Sequence, residues 1–343
     1  MRRIAIIENP YNAETPMDRL DGQGVPASEF FVRSHFDVPA IDPHAWKCRI
    51  DGAVVRPLSL DLANLRAFAP RRLTVTLECA GNGRTLLRPA VPGAPWRLGA
   101  AGTAEFGGVS LADVLDRARP RADAVEISCW GADEGEVAGG RRVRFERSLP
   151  MAIARHPDTL LAFSMNGLPL TPEHGAPVRL IVPGWYAVAS VKWVIGIEAR
   201  TEPFHGWFQG ENYVYRGSAV YPENTPVTKM RVRAVVARPV EGAIVPRGPI
   251  EISGSAWSGE APITGVQVSV DGGASWCDAE IEPPIHNYAA RSWRARVTIP
   301  TKGTTSILAR ARDAAGNVQP LDAAWNRLGY GNNAVHPIRI TVG

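Results

Sequence analysis

The amino-acid sequence predicts an α+β domain of short elements on mixed sheets, followed by an all-β domain. Three observations carry this. A chain of 343 residues has room for two cores. Its 29 prolines and 33 glycines divide it into short strands and irregular connections rather than long helices. Past a junction at residues 219–229, marked by Pro222 and Pro226, the pattern changes to short strands separated by turns.

Composition narrows the function classes. Hydrophobic content of 45% and charged content of 21% are those of an ordinary soluble globular protein. The net charge of +4 is weak and no basic run is interleaved with aromatics, so nucleic acid is not an expected partner. The cations are four lysines and 34 arginines, so a single arginine says little, whereas Lys192, set between Val191 and Trp193, is informative. Cys48, Cys79, Cys129 and Cys277 show no CxxC pair, zinc-like spacing, haem-attachment motif or iron–sulfur spacing. No run of about 18 apolar residues exists, so no membrane span is expected. After Met1-Arg2-Arg3 the apolar stretch is only Ile4-Ala5-Ile6-Ile7, shorter than the roughly 7–15 residues of an export signal. The expected compartment is therefore the cytoplasm as written, or the periplasm if a leader has been removed.

Taken in order, residues 1–28 are polar and rich in turn formers and read as an extended arm. Residues 30–36 read as a short strand with Phe31, Arg33 and His35 on one face. A hairpin over residues 46–60 turns at Asp51-Gly52, and a helix over 59–68 takes Ser59 as its cap. The alternation Leu73, Val75, Leu77 makes a half-buried strand ending at Cys79, and a second helix begins from Ser110. Residues 124–130 form a strand that delivers Asp133 on a turn, and residues 146–156 form a short helix with Pro150 in its first turn. Asn166-Gly167 is a hairpin turn, and residues 204–215 are aromatic and irregular. Strands then fall at 231–239, 249–257, 263–270, 292–299, 305–313 and 336–343, a spacing that indicates an immunoglobulin-like sandwich. The domain division is 1–222 and 223–343.

The most informative stretch is LECAGNGR, residues 77–84. A strand delivers Cys79 onto a turn of small residues, with Arg84 five positions on. Spacing alone leaves Cys79 either a small buried hydrophobe or a thiol presented to a cleft. Asp133 alone fits a solvated turn acid, and Tyr213 fits aromatic packing equally well.

The segment nevertheless resembles the cysteine segment of the sulfite oxidase family, whose thiolate binds molybdenum carried by a pterin dithiolene. Other segments are similar to the same family: FFVRSHF (residues 30–36), HGAPVR (174–179), SVKW (190–193) and, in the C-terminal half, VSVDGG and DAAGN. The resemblance implies a molybdopterin-binding catalytic domain followed by a dimerisation domain. It implies Cys79 as metal ligand, with Arg33, Arg84 and Tyr213 at the substrate. Phe31, Arg33, Ser34, His35, Asp133, His174, Arg179, Ser190, Val191 and Lys192 would contact the cofactor. Ser34 replaces the family's asparagine. The family's loop arginine beside a glycine falls one residue early here, as Arg327 before Leu328-Gly329, so either Arg327 is re-aimed inward or the pocket has lost a positive charge.

The implied activity is molybdenum-dependent oxidation of sulfite to sulfate in a homodimer. With no haem expected on this chain, electrons would pass to a separate acceptor. The alternatives are another sulfur substrate, as in a sulfane dehydrogenase or an S- or N-oxide reductase, and a non-catalytic binding scaffold.

Overall fold

Alternation of apolar and polar residues builds the first sheet. The computed structural model describes residues 3–299 and 301–343; Met1 and Arg2, which begin the stretch read for an export signal, and Pro300 lie outside them. Leu73, Val75 and Leu77 point into a core with Phe30, Phe31, Trp96 and Phe106. Their strand, Pro70–Glu78, lies at the edge of the sheet; next come Ala101–Ser110, then Leu160–Met165, which pairs with both Leu168–Pro169 and Arg179–Ile181. The Asn166-Gly167 turn has φ of 52° and 78°, the left-handed pair that a two-residue hairpin requires.

A second sheet runs Leu58–Leu60, Cys48–Gly52, Val194–Arg200, Glu126–Val137, Arg141–Pro150. Val194–Arg200 is parallel to Cys48–Gly52 and antiparallel to Glu126–Val137, so the sheet is mixed. Helix Leu111–Ala118, capped by the Ser110 hydroxyl as its sequence indicates, packs Leu111, Val114 and Leu115 beneath the sheets. Among the described residues no helix is long and apolar enough to cross a membrane.

Four local expectations need correction. The first 28 residues are not an extended arm: Ile4–Ile7 pairs with Asn12–Glu14, and Asn12, Ala13 and Glu14 are buried. Residues 30–36 form no strand beyond one bridge from Val32 to Ala13; the Asn12 side chain instead binds the Ser34 N–H (3.0 Å) and carbonyl (3.1 Å). The first helix is only Leu62–Arg66, capped by Asp61 in a reciprocal box with Asn64 rather than by Ser59. Finally, residues 146–150 continue a strand, Arg141–Pro150, and only Met151–Ala154 of the expected helix is helical.

In the C-terminal part, Gly248–Trp257 pairs with Arg233–Arg238 and Arg291–Ile299 in one sheet. Gly303–Asp313 pairs with Ile263–Ser269 and Ile338–Val342 in another. Ile252, Trp293 and Val297 of the first face Val266, Ile307 and Ile340 of the second in one apolar core. Replacing fully buried Ile307 by alanine should cost about 2–5 kcal/mol, read as a lower urea midpoint at unchanged slope.

Candidate active site

The loops at the exits of these strands converge on one cleft with polar and charged side chains in its lining. Cys79 stands in its wall with 5% exposure, where the strand ends in the turn through Gly83, whose φ is 81°. Burial pushes the Cys79 thiol up, opposed by the charges of Arg33 and Arg84 and by a backbone hydrogen bond at Gly81. A thiophilic cation would deprotonate it outright.

On one side, Tyr213 and His35 meet at 2.8 Å through the phenol oxygen and Nε2. Burial, then the charges of Arg33, Lys192 and Arg84, push His35 well below its ordinary value, so it is a neutral imidazole. Burial raises Tyr213, which keeps its proton. Phe145 stacks on His35 at 4.9 Å between ring centroids.

On the other side lies a cationic wall. Lys192 donates to Ser34 Oγ (3.0 Å) and to the Glu173 carbonyl (2.9 Å), with its ammonium 4.0 Å from the Trp193 ring centroid. Arg179 donates to the carbonyls of His174 (3.1 Å) and Ser190 (3.3 Å), and burial lowers its pKa to about 10. Burial likewise pushes Lys192 well below its usual range, the Arg179 charge adds to this, and the Asp133 carboxylate opposes it. His174 gives Nε2 to the Ala27 carbonyl at 2.9 Å, and burial takes its pKa to about 3, the neighbouring cations reinforcing the effect.

Asp133 reaches the cleft through a device the sequence hides. Residues 131–135 read as a turn, yet Glu126–Val137 runs straight through them, with a register shift against Arg141–Pro150 between Trp130 and Glu134. The irregularity turns Asp133 inward, to 4% exposure. Burial raises its pKa to about 7 against the pull of Lys192.

Two buried polar atoms here, Asp133 Oδ1 and Arg179 Nε, have no hydrogen-bond partner among the described residues. An unmatched acceptor opposite an unmatched guanidinium donor suits a ligand with N–H groups at one end and an anionic group elsewhere. A pterin carrying a phosphate has this distribution, and Cys79 offers the soft donor for its metal. The residues present fit the group.

Residues 35–208 match the family described as the oxidoreductase molybdopterin binding domain, and residues 224–343 match the Mo-co oxidoreductase dimerisation domain. The chain belongs to the sulfite oxidase family. It is 35% identical to mouse (Mus musculus) mitochondrial sulfite oxidase over 98% of its length, but spans only 65% of that protein. It is 35% identical to chicken (Gallus gallus) sulfite oxidase, with 96% of this chain and 76% of that protein covered. The structure of the sulfane dehydrogenase SoxCD from Paracoccus pantotrophus superposes with a TM-score of 0.84 at 28% identity, covering 95% of this chain and 83% of that one.

Within this sulfite oxidase family member, Phe31, Arg33, Ser34, His35, Cys79, Asp133, His174, Arg179, Ser190, Lys192 and Tyr213 line one cleft. Three candidates do not. Val191 is fully buried in the core. Arg84 spends its guanidinium on the carbonyls of Ala94 (2.9 Å) and Leu328 (3.2 and 3.3 Å) and lies over the Tyr330 ring at 5.2 Å. Arg327 is exposed, its N–H bound to the Arg216 carbonyl, so the early placement of this arginine carries it out of the site.

Sequence reasoning missed Tyr330, which stacks on Tyr213 at 4.8 Å and donates to Asn212 Oδ1 at 2.7 Å. It also missed Glu173, held by Arg3 at 2.8 Å, and Trp193, which lies at φ 52° with its indole N–H on the Pro172 carbonyl. The glutamate adjoining His174 was the available signal.

The native state resists a proton at His174 that the unfolded chain accepts below about pH 6.5. Its stabilising contribution is intact above that pH and lost as the pH falls toward about 3. H174Q should therefore lose about 1.4 kcal/mol less per pH unit than the parent through this window, measured by urea unfolding.

Proposed function

We propose that this chain is a molybdenum-dependent oxidoreductase that oxidises sulfite to sulfate, passing two electrons to a separate acceptor. The observation that carries the reading is the convergence of Cys79, Asp133, Arg179 and Lys192 on one cleft, with Arg33, His35 and Tyr213 at the cysteine end. When bound, the molybdenum cofactor supplies oxygen-atom transfer and two-electron chemistry at its metal. Cys79 would hold the metal, Asp133 the amino and N–H edge of the pterin, and Arg179 and Lys192 its phosphate.

The chain's own groups would act on the substrate by placement and charge. Arg33 supplies a guanidinium, part of whose donor capacity goes to Asn12 Oδ1 at 3.2 Å, to the anionic oxygens. Neutral His35 and protonated Tyr213 share a hydrogen bond, which fixes the direction of the phenol hydrogen and leaves a proton carrier within reach. The aromatic wall of Phe145 and Tyr330 keeps water away and strengthens these interactions.

One observation favours a second reading, oxidation of a sulfane sulfur. Arg327 is exposed and the nearby loop turns Tyr330 inward beneath the Arg84 guanidinium, so this side of the site lacks the charge of the loop arginine. The C-terminal part is read as an immunoglobulin-like sandwich that pairs two copies of the chain, consistent with the matching dimerisation domain.

Steady-state assays with sulfite, a sulfane sulfur donor and sulfoxides separate the readings, and metal analysis separates all of them from a non-catalytic scaffold. Saturable oxidation of sulfite and one molybdenum per chain are expected; absence of molybdenum would leave the scaffold. C79S should lose metal-dependent oxidation while retaining pterin. R33M should lower kcat/KM for sulfite about 10–100-fold, the worth of one charge-assisted hydrogen bond.

A further inference from the structure

Glu78 directly precedes the metal-ligand candidate and has no solvent exposure. Its carboxylate lies 2.8 Å from Arg233 Nε and accepts hydrogen bonds from Trp257 Nε1 at 2.9 Å and from Asn82 Nδ2 at 3.0 Å. Arg233, 2% exposed, and Trp257 come from the paired strands Arg233–Arg238 and Gly248–Trp257 of the C-terminal domain. Arg233 also donates to the Asn332 carbonyl, and Asn332 Nδ2 donates in turn to the Gly83 carbonyl at 2.8 Å. The Gly331 N–H donates to the Ala80 carbonyl at 2.8 Å. The turn that carries Cys79 is thus gripped before, within and after the thiol by groups from the other domain.

We infer that Glu78 and Arg233 are positioning residues for Cys79: their buried ion pair fixes the ligand-bearing turn to the C-terminal domain, which therefore sets the direction of the thiolate. This rests on the reading of Cys79 as the molybdenum ligand. Glu78 and Cys79 share a peptide plane, so any tilt of the clamped residue is passed to the sulfur. A buried pair of this kind contributes more to uniqueness of geometry than to net stability, since its desolvation offsets most of its attraction. Asn82 couples the two ends of the turn, giving one hydrogen bond to Glu78 while its Oδ1 accepts from the Ala100 N–H at 3.1 Å.

The test uses the full chain and three variants: R233M, R233K and the double variant E78Q/R233M. Hydrogen exchange is followed by mass spectrometry in metal-free protein, comparing a peptide over residues 79–84 with one over 305–313. Molybdenum content is followed in protein as isolated, and the Mo(V) resonance after partial reduction with dithionite. R233M should speed exchange at 79–84 by at least about tenfold while leaving 305–313 unchanged. R233K, which keeps the charge, should restore slow exchange.

The double variant removes both charges, so its urea midpoint should return toward the parent's. Its 79–84 peptide should nonetheless stay fast and its Mo(V) signal should broaden. Recovery of slow exchange in the double variant, or equal acceleration of both peptides in R233M, would overturn the inference and leave the pair a plain structural weld. A parent protein without molybdenum would overturn the ligand assignment itself, whatever the exchange data show.

Discussion

A wall that removes Arg179 and Lys192 from water, close to Arg33, governs the chemistry of the cleft. Cations so placed repel one another and are poorly solvated, so the cleft favours anions and disfavours any further positive charge. The two histidines follow from this. His35 and His174 are both held neutral, by burial first and by the surrounding cations after it. Asp133 is the exception that adds selectivity. It is a buried acceptor with a free lone pair, able to distinguish a guest that carries N–H groups from a bare phosphate.

The two domains are not independent supports for this wall. Pro70–Glu78 is the edge strand of its sheet, and the C-terminal domain covers it. The Thr76 N–H donates to the Tyr288 carbonyl at 2.9 Å, and the Ala290 N–H donates to Thr76 Oγ1 at 2.7 Å. An exposed edge strand would invite pairing with another chain, and the cover removes it. The interdomain surface therefore lies against the strand whose end supplies the proposed metal ligand.

The legible parts of the molecule were those set by local chemistry. The alternation through Leu77, the Ser110 cap and the Asn166-Gly167 turn each depend on a few adjacent residues, and each is found in place. What escaped depends on distant partners. The strand through Asp133 continues past two glycines whose missing side chains leave room for Phe36 at Gly135 and for the Asp133 carboxylate and Lys192 carbonyl at Gly131. Residues 30–36 look like a strand, but Asn12 takes their backbone groups instead. Most cleft residues could be named in advance because whole motifs carry them. Arg84 and Arg327 could not be placed, since their direction is set by a loop that closes from the far end of the chain.

The amino-terminal hairpin has a practical bearing on how the protein is handled. Arg3 bridges the Glu173 carboxylate and the Ala27 carbonyl, each at 2.8 Å, and Glu173 in turn gives its own carbonyl to the Lys192 ammonium. The Ala27 carbonyl also holds His174. An affinity handle or a proteolytic trim at this end would thus act within two side chains of the groups that grip the pterin phosphate on the proposed reading.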